Sequence, residues 1–384
     1  MWGTRLRLFR LAGIPISLDA SWLIILALLT WTLVNLFRDQ YPELPGSDYW
    51  VMAAVAALAF FTCIILHELG HSLVARAAGM PVRGITLFLF GGVAELGEEP
   101  PSAASEFLMA IAGPIVSALL GIIFWLMAII AEGYWPIPVV AVLKYLGMIN
   151  LAILAFNLVP AFPLDGGRVL RSVLWGWMRS LRRATYWAAQ AGQVFAWFLI
   201  IVGVLNFFVG HFIQGIWLWF IGMFLKDAAL SSYRQVLVRQ VLHGEPVARF
   251  MTASPVVVPS SLDLRQWVED YVYRYHRKAF PVTSNGHLEG FVTTQALEKY
   301  PREDWNRHTV SEVMRRDLAS FTVAPQTDAM QALAKMQNTG SSRLLVVEGD
   351  QLMGIVSLKD LLAFLDLKLE LEDEGARQPA APDA

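Results

Sequence analysis

Apolar residues run in long blocks through roughly the first 240 positions, and in short alternating runs after that. A helix needs roughly 20 mostly apolar residues to cross about 30 Å of hydrocarbon. Six blocks meet that length: 18 to 37, 49 to 75, 105 to 131, 138 to 159, 185 to 209 and 212 to 231. Between the second and third lies PVRGITLFLFGGVAELGEEPP, too short to cross, with β-formers alternating at Ile85, Leu87 and Leu89 before the Gly91-Gly92 pair. It reads as a hairpin or re-entrant loop, which at membrane depth must pack on protein or line a wet cavity.

Basic residues alternate between the connections. Arg5, Arg7 and Arg10 precede the first block, Arg76 and Arg83 follow the second, and Arg168, Arg171, Arg179, Arg182 and Arg183 follow the fourth. Lys226, Arg234 and Arg239 lie at or after the end of the sixth, whereas the other connections hold Arg38 as their only Lys or Arg. Lys and Arg collect on the cytoplasmic side. The pattern therefore predicts six spans with both termini in the cytoplasm.

Composition sharpens the division. Of 384 residues, 56% are hydrophobic and 16% charged, against about 25% charged in ordinary soluble domains. Residues 1 to 243 hold 15 basic and 12 acidic residues, a net of +3, and residues 244 to 384 hold 15 and 20, a net of −5. A membrane domain over 1 to 240 is thus expected ahead of a water-soluble one. No basic excess points to nucleic acid. Cys63 is the only cysteine, so no disulfide forms within one chain. The basic N-terminus lacks a small-residue cleavage site before its long apolar run, so the first span is expected to be retained.

The second block ends in FTCIILHELGHSLVARAAG. On a helix His67 and His71 lie about 40° apart around the axis and roughly 6 Å along it, so both imidazoles reach one ion. Zinc suits two histidines, a carboxylate and a water, and Glu68 is placed to take a proton from that water. Such HExxH patterns also arise by chance, but ionisable groups inside a span are costly and mark function.

The third ligand is expected from FNLVPAFPLDGGRVL, Phe156 to Leu170. Asp165 closes the fourth block on the side where the second also ends, at the depth of His67. Asp-Gly-Gly is also ordinary turn chemistry. Cys63 lies one turn before His67, as a small core residue rather than a ligand. His211, His243, His276, His287 and His308 are given no ligand role.

HELGH together with NLVPAFPLDGGR resembles the site-2 protease family of intramembrane zinc metalloproteases. The resemblance covers roughly residues 1 to 240, and AIAGPIVSALL (Ala110 to Leu120) and the Gly91-Gly92 loop are similar to the family's third span and membrane-associated β-hairpin. It implies one zinc per chain held by His67, His71 and Asp165, with Glu68 catalytic and Asn157 holding substrate or polarising the scissile carbonyl. The implied substrate is a membrane protein cut within or near its transmembrane helix. A hairpin over 82 to 98, with Gly91 and Gly92, would offer a strand edge to unwound substrate.

The soluble part repeats itself. RFMTASPVVVPSSLDLRQWV…KAFPVTSNGHLEGFVTTQAL aligns with EVMRRDLASFTVAPQTDAMQAL…SRLLVVEGDQLMGIVSLKDL, pairing Met251 with Met314, Val282 with Val346 and Gly290 with Gly354. Each copy reads as strand, helix, strand, turn, strand, helix, an α/β pair over 245–302 and 308–368. It resembles tandem cystathionine-β-synthase (CBS) domains, which bind adenine nucleotides such as ATP or AMP in many proteins. Gly354, Ser357 and Asp360 match that family's ribose-contacting pattern; copy one has Gly290 and Thr293 but Ala296 in place of the acid. The other reading is a homodimerisation or docking module without ligand. The acidic, Pro/Ala-rich segment 369–384 is expected to be a disordered tail.

The expected activity is intramembrane zinc endoproteolysis regulated by a cytoplasmic CBS pair. The alternatives are a CBS-gated transporter, which would spread polar groups along several spans, and a proteolytically inactive relative that only binds.

Overall fold

The computed structural model describes residues 6–88, 91–96, 99–284, 287–349, 351–364 and 367–368; the 369–384 tail lies outside them. The chain divides into two compact units, Met1–Arg234 and Gln235–Ala384.

Two short strands, β1 (Leu6–Leu11) and β2 (Ile14–Leu18), open the first unit, followed by the helices α1 (Trp22–Gln40) and α2 (Gly46–Ala77). The hairpin β3 (Val82–Phe88) and β4 (Gly91–Leu96) comes next, then α3 (Ala103–Ala131), α4 (Ile137–Asn157), α5 (Asp165–Met178), α6 (Leu181–Phe208) and α7 (Phe212–Leu242). All of these helices except α5 are long and apolar enough to cross a membrane, six in number. The outward face of α3 carries Ile123, Trp125, Leu126 and Ile130, about half exposed or more, as a lipid-facing surface requires. Inside, Ala53, Ala56 and Ala57 of α2 are fully buried against Leu33, Phe37 and Leu146; small side chains let membrane helices approach closely.

The expected hairpin forms, but it is half of a larger sheet. The order is β1-β2-β3-β4, with β2 and β3 parallel (Ile16 opposite Ile85) and β3 and β4 antiparallel (Leu87 opposite Gly92). Ile14, Ile16 and Ile85 bury one face of this sheet on Ile65 and Leu69 of α2, the helix that bears the two histidines. The sheet therefore stands beside the motif.

In the second unit β5 (Thr252–Ala253), β6 (Val258–Pro259) and α8 (Leu264–Gln266) lead into a π-helical stretch, Trp267–Tyr273, then β7 (Ala279–Ser284) and β8 (His287–Thr293). Copy one closes on a 3-10 turn, Thr294–Lys299, where an α-helix was expected; only six residues separate β8 from Tyr300 and Pro301. Two short helices follow, α9 (Val310–Val313) and α10 (Leu318–Phe321), then β9 (Thr322–Val323), α11 (Ala329–Thr339), β10 (Arg343–Glu348) and β11 (Gln351–Ser357).

The two copies interlock. One sheet is β6-β7-β8, while the other, β5-β11-β10-β9, takes its first strand from copy one. In return Phe291 of β8 exchanges both backbone hydrogen bonds with Arg315 of copy two. Gly290 and Gly354, paired by the repeat, pack alike: a Cβ on Gly290 would lie 2.7 Å from Met314 Sδ, and one on Gly354 2.9 Å from Met251 Sδ. The paired methionines and glycines thus meet across the copies.

Candidate metal centre

His67 and His71 project from one face of α2 and are 5% and 7% exposed. Asp165 is the first residue of α5, placed there by a tight turn. The glycines after it are required by that turn, because a Cβ on Gly166 would lie 2.3 Å from the Val159 carbonyl oxygen and one on Gly167 2.4 Å from Phe162 N. The chain entering α5 is pressed against the helix start, which turns Asp165 toward α2.

The three side chains converge. Asp165 Oδ2 lies 3.1 Å from His67 Nε2 and 3.2 Å from His71 Nε2, and the two nitrogens are 3.2 Å apart. Among the described residues this is the one His/Cys/Asp/Glu group with metal-site spacing. The edges of a tetrahedron with ligand bonds of about 2.0 Å are about 3.3 Å, so the donor set has the dimensions of a zinc site.

The outer nitrogens are already engaged. His71 Nδ1 donates to the Met109 carbonyl oxygen of α3 at 2.7 Å, and His67 Nδ1 lies 2.8 Å from Ser117 Oγ. A carbonyl only accepts, so the proton of a neutral His71 sits on Nδ1 and its Nε2 presents a bare lone pair to the Asp165 carboxylate. Two acceptors facing each other at 3.2 Å call for a cation between them. Second partners of this kind fix ring orientation in metal sites. A carboxylate is the kind of third donor that two histidines and a zinc ion take.

Space beside the donors comes from Gly113 of α3. A Cβ there would stand 2.1 Å from His71 Nε2 and 2.6 Å from His67 Nε2. Glu68, half-buried on α2, faces the hairpin: a Cβ on Gly92 would lie 2.8 Å from its Cγ. Gly92 therefore brings β4 against Glu68, and Gly91 stands beside it at the start of the strand, opposite Phe88. Asn157 is the last residue of α4, half-buried, at the mouth of the turn that ends in Asp165. Cys63 is buried on α2 and outside the three-residue group.

In the second unit, Ser357 ends β11 and donates from both N and Oγ to Asp360 Oδ2, at 2.9 and 2.6 Å. The Asp360 carboxylate thereby fixes the start of the helix at 358. Gly354 is explained by strand packing, since a Cβ would lie 2.8 Å from the Thr252 carbonyl oxygen.

Sequence reasoning passed over Ser117, the Met109 carbonyl and Gly113. The signal was present in AIAGPIVSALL, where Gly113 and Ser117 stand four apart on one helical face.

Comparison with known proteins follows the same division. The model of peptidase family M50 matches residues 55–137 and 127–202, and that of the CBS domain 247–303 and 310–367. Rip3 of Mycobacterium tuberculosis, which carries a provisional zinc-metalloprotease name, is 34% identical over 378 residues, 98% of this chain and 96% of that protein. Zinc metalloprotease MJ0392 of Methanocaldococcus jannaschii is 31% identical over 96% of this chain and 99% of its own. Among solved structures, the site-2 protease from Methanocaldococcus jannaschii is 28% identical, covers 60% of this chain and 96% of that one, and superposes with a TM-score of 0.42.

Proposed function

The chain belongs to peptidase family M50 and carries a tandem CBS pair, and on that premise we propose that it is an intramembrane zinc endopeptidase. It is a multi-pass membrane protein, and its proposed substrates are membrane proteins cut within or near a transmembrane helix. The observation that carries the reading is the convergence of His67 Nε2, His71 Nε2 and Asp165 Oδ2 at 3.1 to 3.2 Å.

In this reading His67, His71 and Asp165 would hold the metal, which when bound would supply a Lewis acid and lower the pKa of a water. Glu68 would serve as general base toward the attacking water and as proton donor to the leaving amine nitrogen. Asn157 donates its amide N–H to the carbonyl oxygen. The β4 edge, held against Glu68 through Gly92, receives the substrate as an added strand, which keeps its backbone extended and hydrogen-bonded in a dry setting. We place both termini in the cytoplasm of a prokaryotic cell and assign the CBS pair to regulation, with adenine nucleotide as effector and Gly354, Ser357 and Asp360 as its contacts.

The test is cleavage of a tagged single-span reporter by detergent-purified protein, wild type beside Glu68→Gln, with zinc quantified in both. The expected result is full zinc occupancy in both and cleavage only by wild type. Zinc-free wild type, or cleavage by Glu68→Gln at the wild-type rate, would refute it.

A further inference from the structure

The candidate metal centre is assembled from two parts of the helix bundle. The histidines stand on α2 and are oriented by α3, while Asp165 stands on α5. Metal sites tolerate errors of about 0.2 Å in ligand position, so α5 must be located against α3 with comparable accuracy.

Arg171 lies on α5, 5% exposed, six residues beyond Asp165. Its Nε donates to Glu106 Oε1 at 2.5 Å, and its Nη2 pairs with the same oxygen. Glu106 stands near the start of α3 with no exposed surface, and its other oxygen has no partner. Arg171 Nη2 also reaches Glu99 Oε2, ahead of α3, at 3.3 Å. The guanidinium carbon lies 5.1 Å from the centre of the Phe162 ring, three residues before Asp165.

Glu106 shares a helical face with the residues that build the site. Positions 106, 109, 113 and 117 follow the three-and-four spacing of one buried stripe, and all four are buried. They bear the Arg171 partner, the carbonyl that orients His71, the gap beside the donors and the hydroxyl at His67. Arg171 thus grips the same face of α3 from α5, and grips the turn before Asp165 through Phe162.

We infer that Glu106 and Arg171 are a positioning pair that sets Asp165 against His67 and His71. An apolar pair of similar volume would pack as stably, because a buried ion pair gains little over its desolvation cost. The forked guanidinium supplies direction: bonds of fixed geometry to one carboxylate oxygen lock the rotation and height of α5. This assignment rests on the zinc reading above.

The experiment uses the full chain in detergent and reads zinc affinity by chelator competition, thermal melting, and reporter KM and kcat. In the double variant Glu106→Leu with Arg171→Met, an unchanged melt is expected with zinc affinity reduced tenfold or more, and kcat reduced at constant KM. Arg171→Lys keeps the charge but not the fork, so the same loss of zinc affinity is expected there. Glu99→Gln, whose contact is longer and half-exposed, should change affinity less than threefold. Should the double variant unfold, Arg171→Lys decides. Zinc affinity within twofold of wild type in the folded double variant, or in Arg171→Lys, would overturn the inference. Zinc bound by wild type without any cleavage would remove the protease reading and leave this one standing; zinc-free wild type would end both.

Discussion

Alanine at position 113 would add a single methyl group between the two histidines. Its carbon would stand 2.1 Å from His71 Nε2 and 2.6 Å from both His71 Cε1 and His67 Nε2, where ordinary contact begins near 3.4 Å. One or both imidazoles must therefore move by more than 1 Å. Metal-donor distances hold to about 0.2 Å, and disturbing merely an outer partner costs about 10- to 100-fold in affinity. Displacing the donors themselves should lower zinc affinity by more than about 100-fold, near 3 kcal/mol. The fold should survive, because Ala in a helix gains about 1 kcal/mol over Gly, which offsets the roughly 0.5–1.5 kcal/mol of a strained histidine rotamer. The assay is zinc content by mass spectrometry and chelator competition on purified Gly113→Ala, with helicity and melting measured alongside. A stably folded variant that keeps one zinc per chain at wild-type affinity would refute the assignment of this gap to the metal.

Three further outcomes are expected. Ser117→Ala removes the hydroxyl at His67 Nδ1 and should weaken zinc binding about 10- to 100-fold; wild-type affinity in chelator competition would show the hydroxyl idle. Gly290→Ala and Gly354→Ala, which press a Cβ on Arg315 and Thr252 carbonyl oxygens, should each destabilise the second unit by about 1–3 kcal/mol in thermal melts while zinc content stays constant. Glu312 is held below its ordinary pKa of 4.5, first by the hydrogen bond from His308 and next by the Thr309 N–H. Its stabilisation is present above that value and fades as pH falls through the lowered one, so Glu312→Gln should lower the melting temperature near neutral pH and lose that effect in acid, once the wild-type carboxyl is protonated.

The long spans and the convergence of His67, His71 and Asp165 were legible because their signals are local or strongly constrained. An apolar block of span length has few other structures open to it, and His67 and His71 are brought together by helical spacing alone. Asp165 required charge topology to bring it to their depth. The β1-β2 hairpin escaped notice because LRLFRLAGIPISL reads as a basic flank, and its partner β3 lies more than sixty residues away. Arg171 was legible only as one positive charge among five. Its partner Glu106 is 65 residues distant, and nothing in either local pattern announces the pairing. The strand exchange between the repeat copies was hidden for a related reason: repetition reveals two like units but not which sheet receives a two-residue strand.

That exchange bears on how such a module can be altered. A lone copy would lack its partner's contribution, as β5 would have no β11 to pair with and Gly354 no Met251 to rest on. Excising either half from the present chain would leave the other with a raw sheet edge, so truncation between the copies breaks both, and the couple is the smallest piece that can be moved intact.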